Sequence, residues 1–489
     1  MMKNFLTISV ASLLLSACSL GPEYERSNFI TNPDAKYIQA EGLLTAPQTH
    51  SISTWWSRIN DPLLSQYVDQ LLLDNLALQA SAERIIQARE TLNITNGDFA
   101  PQISGTASAG RSFTPNATTN NRSYTNAYNL GADVSWQIDL FGKIRKSAEN
   151  NEAQFLATQY DREALTHSLI ADLVNRRVAV AANKRRYTLA KKNAENRKTT
   201  LDVVQRRYDL GVKETGATDL YLAREKYTTT RADVPRFERA MLDEAYNLDT
   251  LLGQTPGSTR PDLHNFTMLP EPLDITTCLP ADLLDRRPDL LAAELRTKAA
   301  NANIGVAIAD LYPALNLTGG LGFTGDSGAN FFSAEQLAGS ILSSITTRLF
   351  EGGKLRANIR LRESEAREQA AIYAENILNA FREVESALLN DHNLSQELKQ
   401  LKASAEALAK AEEIAQERYI LGVINLDTFL DTQSRHYTAQ QALITKEQER
   451  WAARIALYLA LGGDWFNATN NSCETQTPQN TPDDITEET

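Results

Sequence analysis

The chain has 489 residues, 42% of them hydrophobic and 22% charged, with a formal net charge of −12. That acidic balance excludes a nucleic-acid partner, which needs a basic face. It fits either a solvated acidic surface or a solute path that repels anions, and charge alone leaves both open.

Residues 1–17 read as a lipoprotein signal peptide. Lys3 supplies the basic n-region, and Phe5 to Leu15 is a short apolar stretch, too short to span a bilayer. Leu15-Ser16-Ala17-Cys18 matches a lipobox, in which Cys18 is acylated and becomes the first mature residue; the competing reading is an ordinary secretory signal with a chance cysteine. Ser19, where an Asp would signal inner-membrane retention, directs the anchored chain to the outer membrane. Residues 18–60 form the anchored N-terminal segment. The other cysteines, Cys278 and Cys473, allow a disulfide in an exported protein or two free thiols.

From Pro62 to Asn96 the pattern is helical, with Asn60-Asp61 as its start signal. A weakly alternating strand follows (Ile103, Ala107 and Ala109 against Ser104, Thr106 and Ser108). A second runs from Ala127 to Leu140, with Tyr128, Leu130, Val134, Trp136 and Ile138 on one face and Asn129, Asp133, Ser135 and Gln137 on the other. Lys143 to about Tyr208 holds no proline and reads as one helix, about 100 Å long at about 1.5 Å per residue. Gly211 ends it in the left-handed conformation expected of a helix stop, and a return helix runs from Asp219 to Leu252.

The same succession then returns. Asp98-Phe99-Ala100-Pro101 recurs as Asp310-Leu311-Tyr312-Pro313, Gly142-Lys143 as Gly353-Lys354, Arg207-Tyr208 with Gly211 as Arg418-Tyr419 with Gly422, and Leu252-Gly253 as Leu461-Gly462. The spacing is about 210 residues each time, so the chain reads as two internal structural repeats, 61–253 and 281–462. An equatorial linker at 254–280 joins them, and a polar, partly disordered tail covers 463–489. In the second repeat a strand places Leu315, Leu317, Leu321 and Phe323 against Asn316, Thr318, Gly320 and Thr324, and a weaker one covers about Leu337 to Phe350. A long helix runs from Lys354 to about Tyr419, and a return helix from Asp427 to Leu461. On the long helix the series Ile377, Phe381, Val384, Leu388, Leu394, Leu398, Leu401, Ala405, Leu408 has the three-four spacing of coiled-coil packing.

Strict alternation suits a lipid-facing barrel and a soluble sheet equally well. The lipobox and the strand count separate them. Four strands cannot close a barrel, because the smallest single-chain ones have about eight, and an open edge in lipid leaves backbone groups unsatisfied. Three chains would give twelve strands and no edge. The fold expected is therefore an α+β membrane protein: a trimeric 12-stranded outer-membrane β-barrel, four strands per chain, continued by a long α-helical coiled-coil periplasmic barrel.

These residues resemble the outer-membrane efflux lipoproteins of the TolC/OprM (NodT-type) family over nearly the whole mature length. The resemblance is carried by Cys18 to Tyr24, Trp55-Trp56, Asp61-Pro62-Leu63, Leu279-Pro280 through Asp289-Leu290, Ala293-Glu294, Ile304-Gly305, Tyr312-Pro313 and both Arg-Tyr-x-x-Gly turns. It implies a homotrimer in the outer membrane, extending into the periplasm and docked to a periplasmic adaptor protein and an inner-membrane pump of the resistance-nodulation-division type. Outer-membrane lipid is the remaining partner, and drugs or other small molecules are the cargo. A duct for polypeptide secretion and a non-pore coiled-coil scaffold are the alternatives.

Matched from Gly422, the resemblance places Asp431 at the periplasmic aperture, with Asp427 one turn earlier. The family's common second Asp falls at Thr428, so that ring is altered. Asp219, Arg418 and Tyr419 match positions used as latches between neighbouring coils. The first tip, Gly211 to Asp219, is longer than the second and is expected to meet the adaptor. Gly320-x-Gly322-x-x-Gly325 matches a dinucleotide fingerprint but lies inside an alternating strand with no helix after it. The five histidines show no metal-ligand spacing and no nucleophile–base arrangement is readable, so no cofactor, metal or enzymatic activity is expected.

Overall fold

The computed structural model describes residues 20–26, 55–116, 121–212, 215–270, 286–327 and 331–462. The lipobox Cys18, Cys278, Cys473, the last part of the linker (271–280) and the polar tail lie outside the described residues. In chain order the elements are α1 (Pro62–Asp74), α2 (Leu76–Gly97), β1 (Gln102–Asn116), β2 (Asn121–Ile138), α3 (Lys143–Asp209), α4 (Ala217–Leu251), α5 (Pro288–Ala309), β3 (Ala314–Gly325), β4 (Leu337–Thr346), α6 (Lys354–Ile420) and α7 (Leu426–Ala460). The helices α3 and α6 are each 67 residues long, and α4 and α7 each 35. No helix among the described residues is long and apolar enough to cross a membrane.

The contacts divide the chain into two compact units. The first contains all four strands, with α2, the start of α3, α5 and the start of α6. Its sheet is antiparallel throughout, in the order β1-β2-β3-β4. Register decides the faces, because directly paired residues point the same way. Leu130 pairs with Ala107 and Phe323, and Val134 pairs with Ile103 and Gly319. Trp136 pairs with Leu317, and Leu321 with Gly339. These make one apolar face. Thr106, Ser108, Asn129, Asp133, Thr318 and Ser340 lie on the other. That face is knitted across strands by Thr106 donating to Asp133 (3.1 Å) and Asn129 donating to Ser108 (3.2 Å). On it Gly131 and Gly322 meet so closely that a Cβ at Gly322 would sit 2.7 Å from the Gly131 Cα. Among the described residues β1 and β4 each pair on one side only.

Below the sheet, Asp139 accepts hydrogen bonds from the Ile144 and Arg145 amides (3.1 and 2.9 Å), capping the start of α3. Lys143 pairs with Asp310 at 2.7 Å, and Phe141 stacks on Tyr312 at 4.9 Å. The segment 20–26 also belongs to this unit: Pro22 accepts from Asn301 at 3.0 Å, and Arg26 pairs with Glu294 at 3.1 Å.

The second unit contains α1, α4, α7 and the remainders of α3 and α6. Its main core gathers Leu64, Tyr67, Leu71, Ile170, Leu173, Val174, Leu248, Leu252, Phe266, Trp451 and Ile455, all buried, with Trp55 stacked 4.7 Å from Tyr458. Inside it lies Arg177, only 2% exposed, its Nη2 2.6 Å from an Asp61 oxygen and its Nη1 2.8 Å from the Thr267 carbonyl. Asp61 also caps α1 through the Leu63 and Leu64 amides. On α6, Ile377, Val384, Leu388, Leu398 and Ala405 are buried and Phe381, Leu394, Leu401 and Leu408 half-buried, so the three-four series faces inward.

Three element bounds depart from the sequence reading; the second strand, expected from Ala127 to Leu140, runs from Asn121 to Ile138 because its first residues pair with the end of β1. The single helix expected over Pro62 to Asn96 breaks at Asn75, whose ψ of 121° is extended. Its side chain donates to the Leu251 carbonyl at 2.7 Å, and Gly253 (φ +71°) rests against Asp74 where a Cβ would lie 2.4 Å from the carbonyl oxygen. The fourth strand stops at Thr346, paired with Ala314, the first residue of β3, and finds no partner beyond it.

Candidate functional site

The tips of both hairpins lie in the second unit. At each, a glycine with positive φ lets the chain reverse: +66° at Gly211 and +73° at Gly422, neither with any atom within 4 Å of where a Cβ would be. The requirement is therefore backbone conformation and not space. Val212 donates to the Arg207 carbonyl (3.0 Å) and Val423 to the Arg418 carbonyl (2.9 Å), the paired closing bonds of a Schellman stop. Asn425 then caps α7 by accepting from the Thr428 amide at 2.9 Å, and the Asp219 carboxylate accepts from the Gly216 amide at 2.9 Å at the head of α4.

Between the tips Val204, Leu220, Ala223, Ala415, Leu426, Phe429 and Leu430 form a buried cluster. Tyr419 lies against it, its ring stacked on Phe429 with centroids 5.3 Å apart and planes 6° apart. The guanidinium of Arg207 covers the ring at 5.1 Å. Burial pushes the Tyr419 hydroxyl up; Arg207 opposes this and the Asp219 charge adds to it. Of the expected latch residues, Asp219 acts on the Tyr419 hydroxyl only through its charge, while Arg418 is exposed.

The aperture candidates sit on the opposite face of α7. Leu426, Phe429, Leu430 and Gln433 point inward, and Asp427, Thr428 and Asp431 are exposed. Asp427 occupies the first turn, where the helix dipole favours a carboxylate. Asp431 faces Arg435 one turn on, 4.0 Å away, with both side chains about two-thirds exposed (66% and 69%). The result is a ladder of Asp427, Asp431 and Arg435 at helical spacing.

The inner side of α7 is pinned by groups that the sequence reading did not single out. Arg197 of α3, 3% exposed, donates to Ser434 Oγ (2.7 Å) and to the Leu430 carbonyl (3.3 Å). Burial pushes its guanidinium down, and Glu412 and Glu225 counter this. His436 contacts Glu412 of α6, and Tyr437 donates to Asp233 of α4 at 3.1 Å. Burial and the Asp233 charge together push the Tyr437 hydroxyl up. Higher on the same helix Arg186 of α3 donates to Thr445 (3.0 Å) and Gln448 (3.1 Å). All these partners are remote in sequence, so no local spacing announces them. Asp431 and Arg435 are the exception, because their four-residue separation is visible in the sequence. Among the described residues no group of three His, Cys, Asp or Glu side chains is placed to hold a metal.

A family model described as outer membrane efflux protein matches residues 67–254 and 279–463. The chain is 27% identical to the probable efflux pump outer membrane protein TtgC of Pseudomonas putida, over 98% of this chain and 100% of that protein. It is 31% identical to the outer membrane protein OprJ of Pseudomonas aeruginosa, over 93% and 94%. The solved structure of the outer-membrane channel OprN superposes with a TM-score of 0.83 at 31% identity, covering 92% of this chain and 100% of that one.

Proposed function

The chain belongs to the outer membrane efflux protein family, and from that premise we propose that it is the passive outer-membrane duct of a tripartite efflux system. Three copies contribute four strands each to a 12-stranded barrel, with the apolar face toward lipid and the Thr106–Asp133 face toward a wet lumen. The helical hairpins form the periplasmic part. Acylated Cys18 anchors each copy. A periplasmic adaptor and a proton-driven inner-membrane pump deliver drugs or other small molecules, and the duct itself does no chemistry.

The observation that carries this reading is the four-stranded sheet with one apolar face and two strands, β1 and β4, paired on one side only. An exposed sheet edge of that length invites another strand, and in lipid its free amides and carbonyls require one. Symmetric closure by two further copies satisfies every edge at once.

At the periplasmic end we infer that Asp427 and Asp431 of three chains ring the axis. Carboxylates so placed repel one another and attract cations. Arg207 over Tyr419 holds the two tips of each chain together and resists their separation, and Asp219 shapes the head of α4 beside them.

The test is conductance in planar bilayers together with the mass of the detergent-solubilised protein. A trimer mass and discrete channels are expected. A strictly monomeric protein, or one that gives no channels, overturns the duct.

A further inference from the structure

We propose that the apolar face of the β1–β2 hairpin carries a built site for a phosphate-bearing lipid of the outer leaflet, with the phosphate on Arg111 and Arg122 and an acyl chain in the groove beside them. This rests on the barrel reading above, and it concerns the outer wall and not the duct.

The register shows the anomaly. Phe113 pairs with Tyr124, Arg111 with Asn126 and Arg122 with Pro115, so both arginines stand on the same face as Ile103, Ala107, Leu130 and Trp136. A cation on a lipid-facing strand is costly at the bilayer midplane and nearly free at the interface. Depth therefore decides the matter. Trp136, whose Nε1 donates to the Phe99 carbonyl at 3.0 Å, marks the helix-proximal end of the band. From Trp136 to Asn126, opposite Arg111, the strand rises about 34 Å, or about 26 Å along the membrane normal at a tilt of about 40°. That matches the height of an outer-membrane apolar band, about 25 Å. Arg111 falls at head-group level on the outer side; Arg122 stands four residues farther along the strand, and its guanidinium lies over Phe113, one same-face pair nearer the band.

Their surroundings prepare them for an anion. The Arg111 guanidinium lies 4.6 Å from the Tyr124 ring centre, and that of Arg122 lies 5.1 Å from Phe113. Stacking covers the flat face of a guanidinium and leaves its edge donors free, which is the geometry that grips phosphate oxygens. Among the described residues the side-chain interactions of the two arginines are these ring contacts, and no carboxylate pairs with either.

The groove begins two positions inward on the same face. A cavity of about 450 Å³ is lined by Ala107, Ala109, Tyr128, Leu130, Phe331 and Phe332, with Ser108 and Asn129 between them along the strands. Small side chains make its floor, and the two phenylalanines of the β3–β4 connection make its wall, their rings 5.1 Å apart. Phe332, 71% exposed, joins Phe331, Tyr128 and Leu130 in one contiguous apolar patch, the kind of surface that marks a membrane or ligand contact. An apolar trough leading up to two unpaired cations has the charge and polarity pattern of an acidic lipid.

Native mass spectrometry of the delipidated, full-length protein tests this with three probes: diphosphorylated lipid A, the same lipid dephosphorylated, and dioleoylphosphatidylcholine. The wild type is expected to retain diphosphorylated lipid A at a concentration at least tenfold lower than either other probe. R111Q/R122Q is expected to lose that preference, and R111K/R122K to keep part of it. Equal retention of the phosphorylated and dephosphorylated forms by the wild type, or an undiminished preference in R111Q/R122Q, overturns the proposal. Planar-bilayer conductance on the same preparations keeps the two readings apart. Channels of unchanged conductance in wild type and R111Q/R122Q leave the duct standing whichever way the lipid result falls, and a wild type without channels removes the premise itself.

Discussion

Arg207, in the last turn of α3, covers the ring of Tyr419, in the last turn of α6, with 5.1 Å between guanidinium carbon and ring centre. The two residues are far apart in sequence and belong to different hairpins, so their contact ties one tip of the chain to the other. A cation–π contact of this kind is worth about 0.5–2 kcal/mol, which changes an open–closed ratio by about 2- to 30-fold.

Arg207→Ala should therefore raise the open probability of channels in planar bilayers, and Tyr419→Ala should raise it at least as much, because it also removes the stack on Phe429. Tyr419→Phe keeps the ring and should stay near wild type. If all three variants match wild type, the contact does not restrain opening.

The ladder on the outer face of α7 gives paired predictions of opposite sign. Asp427→Ala combined with Asp431→Ala should raise single-channel conductance and weaken block by multivalent cations, since charge is removed from a constriction. Arg435→Ala frees the Asp431 carboxylate from its neighbour and should strengthen that block. Identical block in both variants would place these residues away from the ion path.

Arg177 and Asp61 form a buried pair at the centre of the second unit's core. Removing one partner leaves a charge without compensation, a loss of about 3–5 kcal/mol. Asp61→Ala also removes the cap of α1. Thermal denaturation should show a marked fall in the midpoint, while Asp61→Asn, which still accepts the capping bonds, should fall less. An unchanged midpoint in Asp61→Ala would show that the pair adds nothing to stability.

Burial pushes the Glu163 carboxyl on α3 above the usual range. An acid whose folded pKa is raised binds more protons folded than unfolded. Its contribution is full below the unfolded pKa and is lost as pH rises through the folded one. Glu163→Gln should therefore be more stable than wild type at neutral pH, the gap closing as the medium is acidified. Melting curves at several pH values check this, and a gap that is constant with pH or widens in acid would contradict it.

Much of the architecture was legible because its signals are local. Alternation exposed β2 and β3, where large apolar residues oppose Asn, Asp, Ser and Thr. β1 read weakly because glycine, alanine and serine fill both its faces and because Arg111 stands on the apolar one. The long helices showed themselves by the absence of proline, and their ends by Gly211 and Gly422. The break at Asn75 was not legible, because the segment is helix-compatible throughout and the interruption comes from Leu251 and Gly253, which arrive from far along the chain. The same holds at the tips. The resemblance pointed to Asp219, Arg418 and Tyr419, of which Arg418 stays exposed, but Arg207 and the pins Arg197, Glu412 and Asp233 become partners only after folding. Asp431 and Arg435 could have been paired from their spacing.

The equal lengths of α3 and α6 limit how such a chain can change. Each residue turns a helix by about 100° and advances it about 1.5 Å, so deleting even one from α3 alone would swing Arg207 away from Tyr419 and turn the inward row of α3 out of the interior. Viable insertions or deletions in one long helix must be mirrored in the other, whereas the strand ends and their connections can lengthen freely. Related chains should therefore differ in size mainly in the connections between strands, and their helical hairpins should keep step.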